Sequence, residues 1–190
     1  MALSKEQEKW LKENPYGFQL RNVPRELSSE EFWLNVVRNY GDALEYVPEA
    51  LKTEAVCLAA VQDYGLVLQY VPEALKTEAL CLAAVQKNCW ALKFVPEALK
   101  TEALYIEAMK HSFYISNVIS GQIVSRSHPL QLVPEELKTE AVCLAAVLKD
   151  GSALEYVPEA IKTEAFNAMI RSVISSGSGG SGYGVGIIKP

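Results

Sequence analysis

Apolar and polar positions alternate along this chain in a pattern that returns every 24 residues. One unit shows it. Thr53-Glu54 is followed by Ala55-Val56-Cys57-Leu58-Ala59-Ala60-Val61, then by Gln62-Asp63-Tyr64-Gly65. The apolar run predicts a helix. Thr53 can cap its free N–H groups, Glu54 suits the positive end of its dipole, and Gly65 is expected to take the left-handed position that ends it. Because the run is apolar on every face, the helix is expected to be covered on more than one side. Leu66-Val67-Leu68-Gln69-Tyr70 then predicts a helix of one or two turns, stopped by Val71-Pro72 because a residue before proline avoids the helical region. Proline opens another short turn, Pro72-Glu73-Ala74-Leu75, before Thr77 caps the next long helix.

The phrase V-P-E-A-L-K-T-E marks the register. It starts at Val47, Val71, Val95, Val133 (VPEELKTE) and Val157 (VPEAIKTE), with a looser copy, VPRELSSE, at Val23. The spacing is 24 residues except between Val95 and Val133, where 14 more are inserted. A repeat of this length, each unit carrying a long and a short helix, predicts an all-α fold: an α-solenoid of about six 24-residue two-helix repeats with capping helices at both ends. Residues 1–22 form the N-terminal capping helix and a degenerate half-repeat. Trp10 and Leu11 are expected to cover the first core layer. Residues 23–176 form the array, and the helix from Glu164, with Phe166, Asn167 and Arg171 at altered positions, is the second cap. The insertion falls near 113–126. Ser120-Gly121 between two β-branched runs could make a hairpin, or the helix from Glu102 could run on through Ile119; the longer helix is the favoured expectation.

Composition narrows the function classes. At 190 residues and 49% apolar the chain is in the globular range. A net charge of -5 without a Lys/Arg cluster argues against nucleic acid. Apolar runs of about seven residues are far short of the ~20 that span a bilayer, and the first residues carry no signal-peptide pattern, so no membrane partner and a cytoplasmic location are expected. Cys57, Cys81 and Cys143 share one repeat position. Helices about 8–10 Å apart put them beyond disulfide reach, so they are expected to be small buried apolar residues. No spacing of Cys and His indicates a metal, and no cofactor is expected.

The unit GxALxYVPEALKTEAxCLAAV resembles a family of short helical repeats catalogued as a domain of unknown function, number 4116, found in tandem in bacteria, protists and large viruses. The resemblance runs from about Gly17 to Ile174, and Y-V-P-E-x-L-K-T is its specific motif. It implies an all-helical tandem array and carries no activity, cofactor or catalytic residue with it. Phe113, in place of the helix-ending glycine, departs from the pattern.

Candidate chemistry lies in what varies between units. The pairs at the end of the long helix read Asn39-Tyr40, Asp63-Tyr64, Lys87-Asn88, His111-Ser112 and Lys149-Asp150. The residue after the glycine position is Asp42, Leu66, Trp90, His128 or Ser152. Stacked units would align these into a ridge, either a freely drifting solvent edge or a binding surface with Trp90 as its aromatic anchor. Glu49 and Lys52, three apart, are expected to be an exposed ion pair, as in every unit. His111 and His128 lack a nucleophile or an orienting carboxylate in the sequence, so the chain is not expected to be an enzyme; that would require His111, His128 and Cys89 to converge in a closed pocket.

Gly177 to Gly182 formally matches G-x-G-x-x-G but has neither the preceding strand nor the following helix of a dinucleotide site. GSGGSG reads as a flexible linker of the kind placed at an engineered junction. Residues 183–190, an appended peptide, follow it, with Tyr183, Val185, Ile187, Ile188 and Pro190 as apolar contacts. The leading expectation is a peptide tethered to its receptor, which raises its effective concentration without any new contact. Six linker residues span about 13 Å on average and near 20 Å at most, so a peptide docked on its own chain begins near the last two units. Lys149, Asp150, Ser152 and the Leu154/Tyr156 layer are within reach, with His128 and Gln131 further along and Trp90 as the candidate aromatic anchor. A tail exchanged between two copies would make a homodimer. The alternative is a scaffold or cargo protein whose tail is a docking tag read by another protein.

Overall fold

The computed structural model describes residues 3–14, 17–111, 115–119 and 122–175. The linker and the peptide contacts expected at Tyr183, Val185, Ile187, Ile188 and Pro190 lie outside the described residues. Among the described residues the regular structure is helical apart from one hairpin. It divides into two compact units, Met1–Glu97 and Ala98–Pro190.

In the first unit, α1 (Lys5–Glu13), α2 (Glu30–Asn39), α3 (Glu54–Asp63) and α4 (Glu78–Lys87) alternate with six-residue 3-10 helices at Gly17–Asn22, Gly41–Tyr46, Gly65–Tyr70 and Cys89–Phe94. Each long helix from α2 onward packs on the next in sequence, and each 3-10 helix packs on the next 3-10 helix. The caps form as expected. The hydroxyls of Thr53 and Thr77 accept from the backbone N–H groups of Val56 and Leu80 at 3.4 and 3.3 Å. Val56, Cys57, Ala60 and Val61 of α3 are buried, as are Leu80, Cys81, Ala84 and Val85 of α4. Leu58 and Ala59 are only half-buried, so the second apolar side of α3 stays open to a groove instead of being closed over.

The repeat glycine does a different job from the one expected. Tyr64, not Gly65, ends α3, and neither Gly41 nor Gly65 adopts a positive φ. Glycine is needed because the following unit comes too close: a Cβ on Gly41 would lie 2.6 Å from the Ala60 carbonyl oxygen, and one on Gly65 would lie 2.4 Å from that of Ala84. The glycine at the end of one unit is therefore a packing residue against the C-terminal turn of the next helix.

The N-terminal cap is tied down by a buried glutamine. Ser4 and Gln7 form a reciprocal capping box at the start of α1, and Gln7 Nε2 reaches the Leu27 carbonyl at 2.8 Å and Ser29 Oγ at 3.2 Å. Trp10 meets Phe32 edge-on with ring centres 6.1 Å apart, which covers the first layer as the sequence anticipates.

The second unit contains α5 (Glu102–Lys110), β1 (Ile115–Ile119), β2 (Gln122–Ser127), α6 (Glu140–Lys149) and α7 (Glu164–Ser175), with 3-10 helices at Pro129–Leu132 and Gly151–Tyr156. Here α5 packs on α6 and α6 on α7. The inserted segment is an antiparallel hairpin, so the favoured continuation of the helix from Glu102 does not occur. That helix stops at His111, and the β-branched residues of 115–119 and 122–127 pair instead, as their strand propensity permits. The register runs from Ile115↔Ser127 to Ile119↔Gln122, with one extra residue, Val124, on β2 between the pairs Asn117↔Ser125 and Val118↔Ile123. In the terminal helix, Phe166 and Ile170 are buried, while Met169 is left exposed.

Candidate functional site

The end of α6 builds its edge from one residue with two duties. Asp150 closes α6 through its own N–H, which donates to the Ala146 carbonyl at 2.9 Å, and its carboxylate then opens the next 3-10 helix. Oδ1 accepts from the Ser152 backbone N–H at 3.0 Å and from its hydroxyl at 2.7 Å. Asn88 does the same for the Trp90 N–H at 3.0 Å. Lys149, Ser152 and Gln131 around this turn are exposed, and Tyr156 is half-buried.

His128 lies beneath that edge. It is fully buried, and its ring stacks on Tyr156 with centres 6.0 Å apart and planes inclined by 17°. Its Nδ1 accepts from the Leu130 N–H at 3.0 Å, so the imidazole caps a shortened 3-10 helix that begins only at Pro129. Burial lowers its pKa to about 4, against the smaller opposing pull of the Asp150 carboxylate. A neutral imidazole in this setting is a spacer and a cap. Of the sequence-predicted residues in this unit, the structure therefore brings His128, Asp150, Ser152 and Tyr156 onto neighbouring turns, with Lys149 and Gln131 at their exposed margin.

Trp90 departs from expectation in the first unit. It is 9% exposed, buried by its own 3-10 helix and the helices around it, with the Lys93 ammonium 4.9 Å from its ring centre. The residue after the glycine position is thus not a uniform ridge: Asp42 and Ser152 are exposed, whereas Trp90 and His128 are buried. The large aromatic residues left in solvent among the described residues sit two positions earlier, at the helix ends. Tyr40 is 58% exposed and Tyr64 is 44% exposed. Both belong to the variable pairs at the ends of the long helices.

Two further features escaped sequence reasoning. Leu34, Arg38, Ala55, Leu58, Ala59, Gln62 and Asp63 line a shallow groove of about 400 Å³ between α2 and α3. Two 3-10 helices of the first unit also end in a tyrosine, Tyr46 and Tyr70, that lies beside a charged residue of the preceding repeat. The Arg21 guanidinium lies 5.9 Å from the Tyr46 ring centre, and the Tyr70 phenol donates to the Glu45 carboxylate, its pKa raised by burial first and then by that carboxylate. The recurrence of tyrosine before Val-Pro was the available signal.

The remaining reactive groups are structural. The thiol pKa values of Cys57 and Cys143 are pushed up to about 11 and that of Cys81 is raised, in each case by burial first, so these thiols stay protonated. Cys89 is buried in the first unit. His111 does have a carboxylate beside it, Glu107 Oε1 at 3.3 Å one helical turn earlier, which the sequence reading missed; both lie near the exposed end of α5, and Lys110 shares Glu107 at 3.0 Å. Among the described residues no three His, Cys, Asp or Glu side chains are grouped to hold a metal ion, and no helix is long and apolar enough to cross a membrane.

Residues 53–100 match the model of a family described as Domain of unknown function (DUF4116). That stretch holds α3, α4 and their short helices. No curated protein and no solved structure matches the chain.

Proposed function

We propose that the chain is a non-enzymatic helical-repeat protein, an α-solenoid of about six 24-residue units, that binds a short apolar peptide of the YGVGIIKP type. The Gly/Ser stretch at 177–182 tethers that peptide to its receptor. The observation that carries this reading is the helix-end edge of the second unit. Lys149 and Ser152 are exposed at the end of α6 and Gln131 on the 3-10 helix that follows His128, while the half-buried Tyr156 stacks on the His128 ring; the first three contribute nothing to the core. A rigid aromatic face ringed by adaptable polar side chains is the composition of a recognition patch, since the aromatic brings contact area at small entropic cost. The exposed Tyr40 and Tyr64 repeat that chemistry at helix ends of the first unit.

The test is a titration of labelled YGVGIIKP into protein whose own tail is scrambled, followed by fluorescence anisotropy. Saturable binding that a scrambled peptide cannot reproduce, weakened by Tyr156→Ala, supports the receptor. Binding unaffected by every edge substitution places the peptide elsewhere. Absence of binding up to millimolar peptide leaves the tail as a tag read by another protein.

A further inference from the structure

We infer that the hairpin in the second unit is the receiving surface for the tail: residues 183–190 of the same chain add to β1 as a third, extended strand. The inference rests on the peptide-binding reading and specifies how the peptide is held.

The hairpin is the one β element among the described residues, and its two strands form a sheet by themselves. Its only substantial packing among those residues is between β1 and β2. Two strands alone are marginal in water, and a third strand is the usual remedy. An edge strand also offers a row of unpaired N–H and C=O groups that an extended peptide can use, because in an antiparallel pair every second residue points its backbone groups away from its partner.

The two edges are not equivalent. β2 carries the extra residue at Val124 and a charge at Arg126, both of which protect an edge against pairing. β1, Ile115-Ser116-Asn117-Val118-Ile119, has no charge, no proline and no inserted residue. It is the unprotected edge. The tail matches it in chemistry: Tyr183-Gly184-Val185-Gly186-Ile187-Ile188 has β-branched residues at 185, 187 and 188 and no charge before Lys189.

Reach permits the pairing. α7 ends at Ser175 and packs on α6, which packs on α5, the helix that leads into β1. Two helix spacings are about 16–20 Å. Residues 176–182 extend to about 23–25 Å. The hairpin also roots at the recognition patch, because β2 ends at Ser127, directly before His128 and its stacked partner Tyr156, and Ser127 pairs with Ile115. A strand laid along β1 would therefore meet the helix-end edge at one of its ends.

The experiment compares full-length protein with full-length Ile187→Pro, which removes a backbone N–H from the tail and leaves residues 3–175 unaltered. Hydrogen exchange is followed at residues 115–119, with and without added labelled YGVGIIKP, whose binding to the variant is read separately by anisotropy. The expected result is that alternate β1 amides exchange at least about tenfold faster in Ile187→Pro and that saturating peptide restores their protection. If the peptide binds the variant while β1 exchange is the same in all samples, strand addition is overturned and the peptide reading stands. If the peptide does not bind at all, both fall. Protection that fades on dilution would put a second copy's tail on β1 and overturn the intramolecular form.

Discussion

The junction between α2 and α3 and the junction between α5 and α6 are built alike, although one connects through an ordinary repeat and the other through the insertion. Thr53 caps α3 and donates to Glu30 Oε1, at the start of α2, at 2.7 Å across 23 residues. Thr139 caps α6 and donates to Glu102 Oε1, at the start of α5, at 2.6 Å across 37 residues. The extra 14 residues leave this bridge untouched because the hairpin starts and ends at paired positions, Ile115 and Ser127, so the chain leaves the helical layer and returns to nearly the same place. What differs is the turn after the long helix. In the ordinary unit Gly41 packs directly on the end of α3, and its N–H donates to the Asp63 carboxylate at 2.7 Å. In the inserted unit Phe113 takes the glycine's place in sequence, and His128 caps a 3-10 helix shortened to four residues. Helix pairing is thus set by the cap and the core; the turn between helices is where the repeat tolerates change.

The largest effect is expected from closing the space that the ordinary junction leaves. Gly65→Ala would force a Cβ to within 2.4 Å of the Ala84 carbonyl, which only a backbone shift relieves, and should cost about 3 kcal/mol. Gly41→Ala, at 2.6 Å from the Ala60 carbonyl, should cost slightly less. Urea denaturation is the measurement, read as a lower midpoint with unchanged slope. A cost below about 0.5 kcal/mol for both would show that the units can slide apart freely, and the comparison would lose its basis.

The inserted junction should instead be sensitive to acid. His128 has its pKa lowered from 6.5 to about 4 in the folded protein, so protons bind the unfolded chain more readily. Its neutral form contributes stability that is fully present above about pH 6.5 and is lost as pH falls toward 4, about 2 kcal/mol by pH 5. The value of about 4 already includes the opposing pull of the Asp150 carboxylate on the imidazole. His128→Asn, which keeps an acceptor for the Leu130 N–H, should flatten stability between pH 6.5 and 4.5, whereas an unchanged pH dependence would mean that other groups set it.

Smaller and equal costs are expected at the shared feature. Thr53→Ala and Thr139→Ala each remove a cap and a bridging hydrogen bond, worth about 1–2 kcal/mol together. The two values should agree to within about 0.5 kcal/mol if the insertion leaves helix pairing alone. A Thr139→Ala cost much below that of Thr53→Ala would show that the α5–α6 junction is the looser one.

How much of this was legible follows the range of each signal. The caps, the proline-led turns and the buried cysteines are local, or depend on a period that the chain spells out, and they appear where the sequence places them. The hairpin was visible only as one of two options, because β-branched runs such as Ile115–Ile119 suit a strand or a helix until their partner is known. The glycine's purpose was misread for the same reason: a glycine after a helix has a familiar local explanation, but the contact that requires it comes from Ala60 or Ala84 in the next unit. Trp90 illustrates the limit at the candidate site. Variation between units marked its position, yet the Asn88-capped turn buries the ring, and variability alone does not distinguish an exposed residue from a repacked one.

The smallest effect is expected at the most regular feature of the sequence. The lysine of V-P-E-A-L-K-T-E is not the exposed partner that its spacing suggests. The Lys52 side chain is 7% exposed, whereas its partner Glu49 is 76% exposed at 2.5 Å, and Lys76 and Lys138 repeat the arrangement with Glu73 and Glu135. The stem of the lysine is packed and only its ammonium meets the carboxylate at the surface, so most of its contribution is apolar contact. Lys52→Met and Lys138→Met, which keep the stem, should change stability by less than about 0.5 kcal/mol, while the corresponding alanine substitutions should cost about 1–2 kcal/mol. Equal losses for methionine and alanine would show that the charge holds the turn. The methionine variants should also behave alike at both positions, because Lys52 and Lys138 each immediately precede the threonine that bridges to the helix before it.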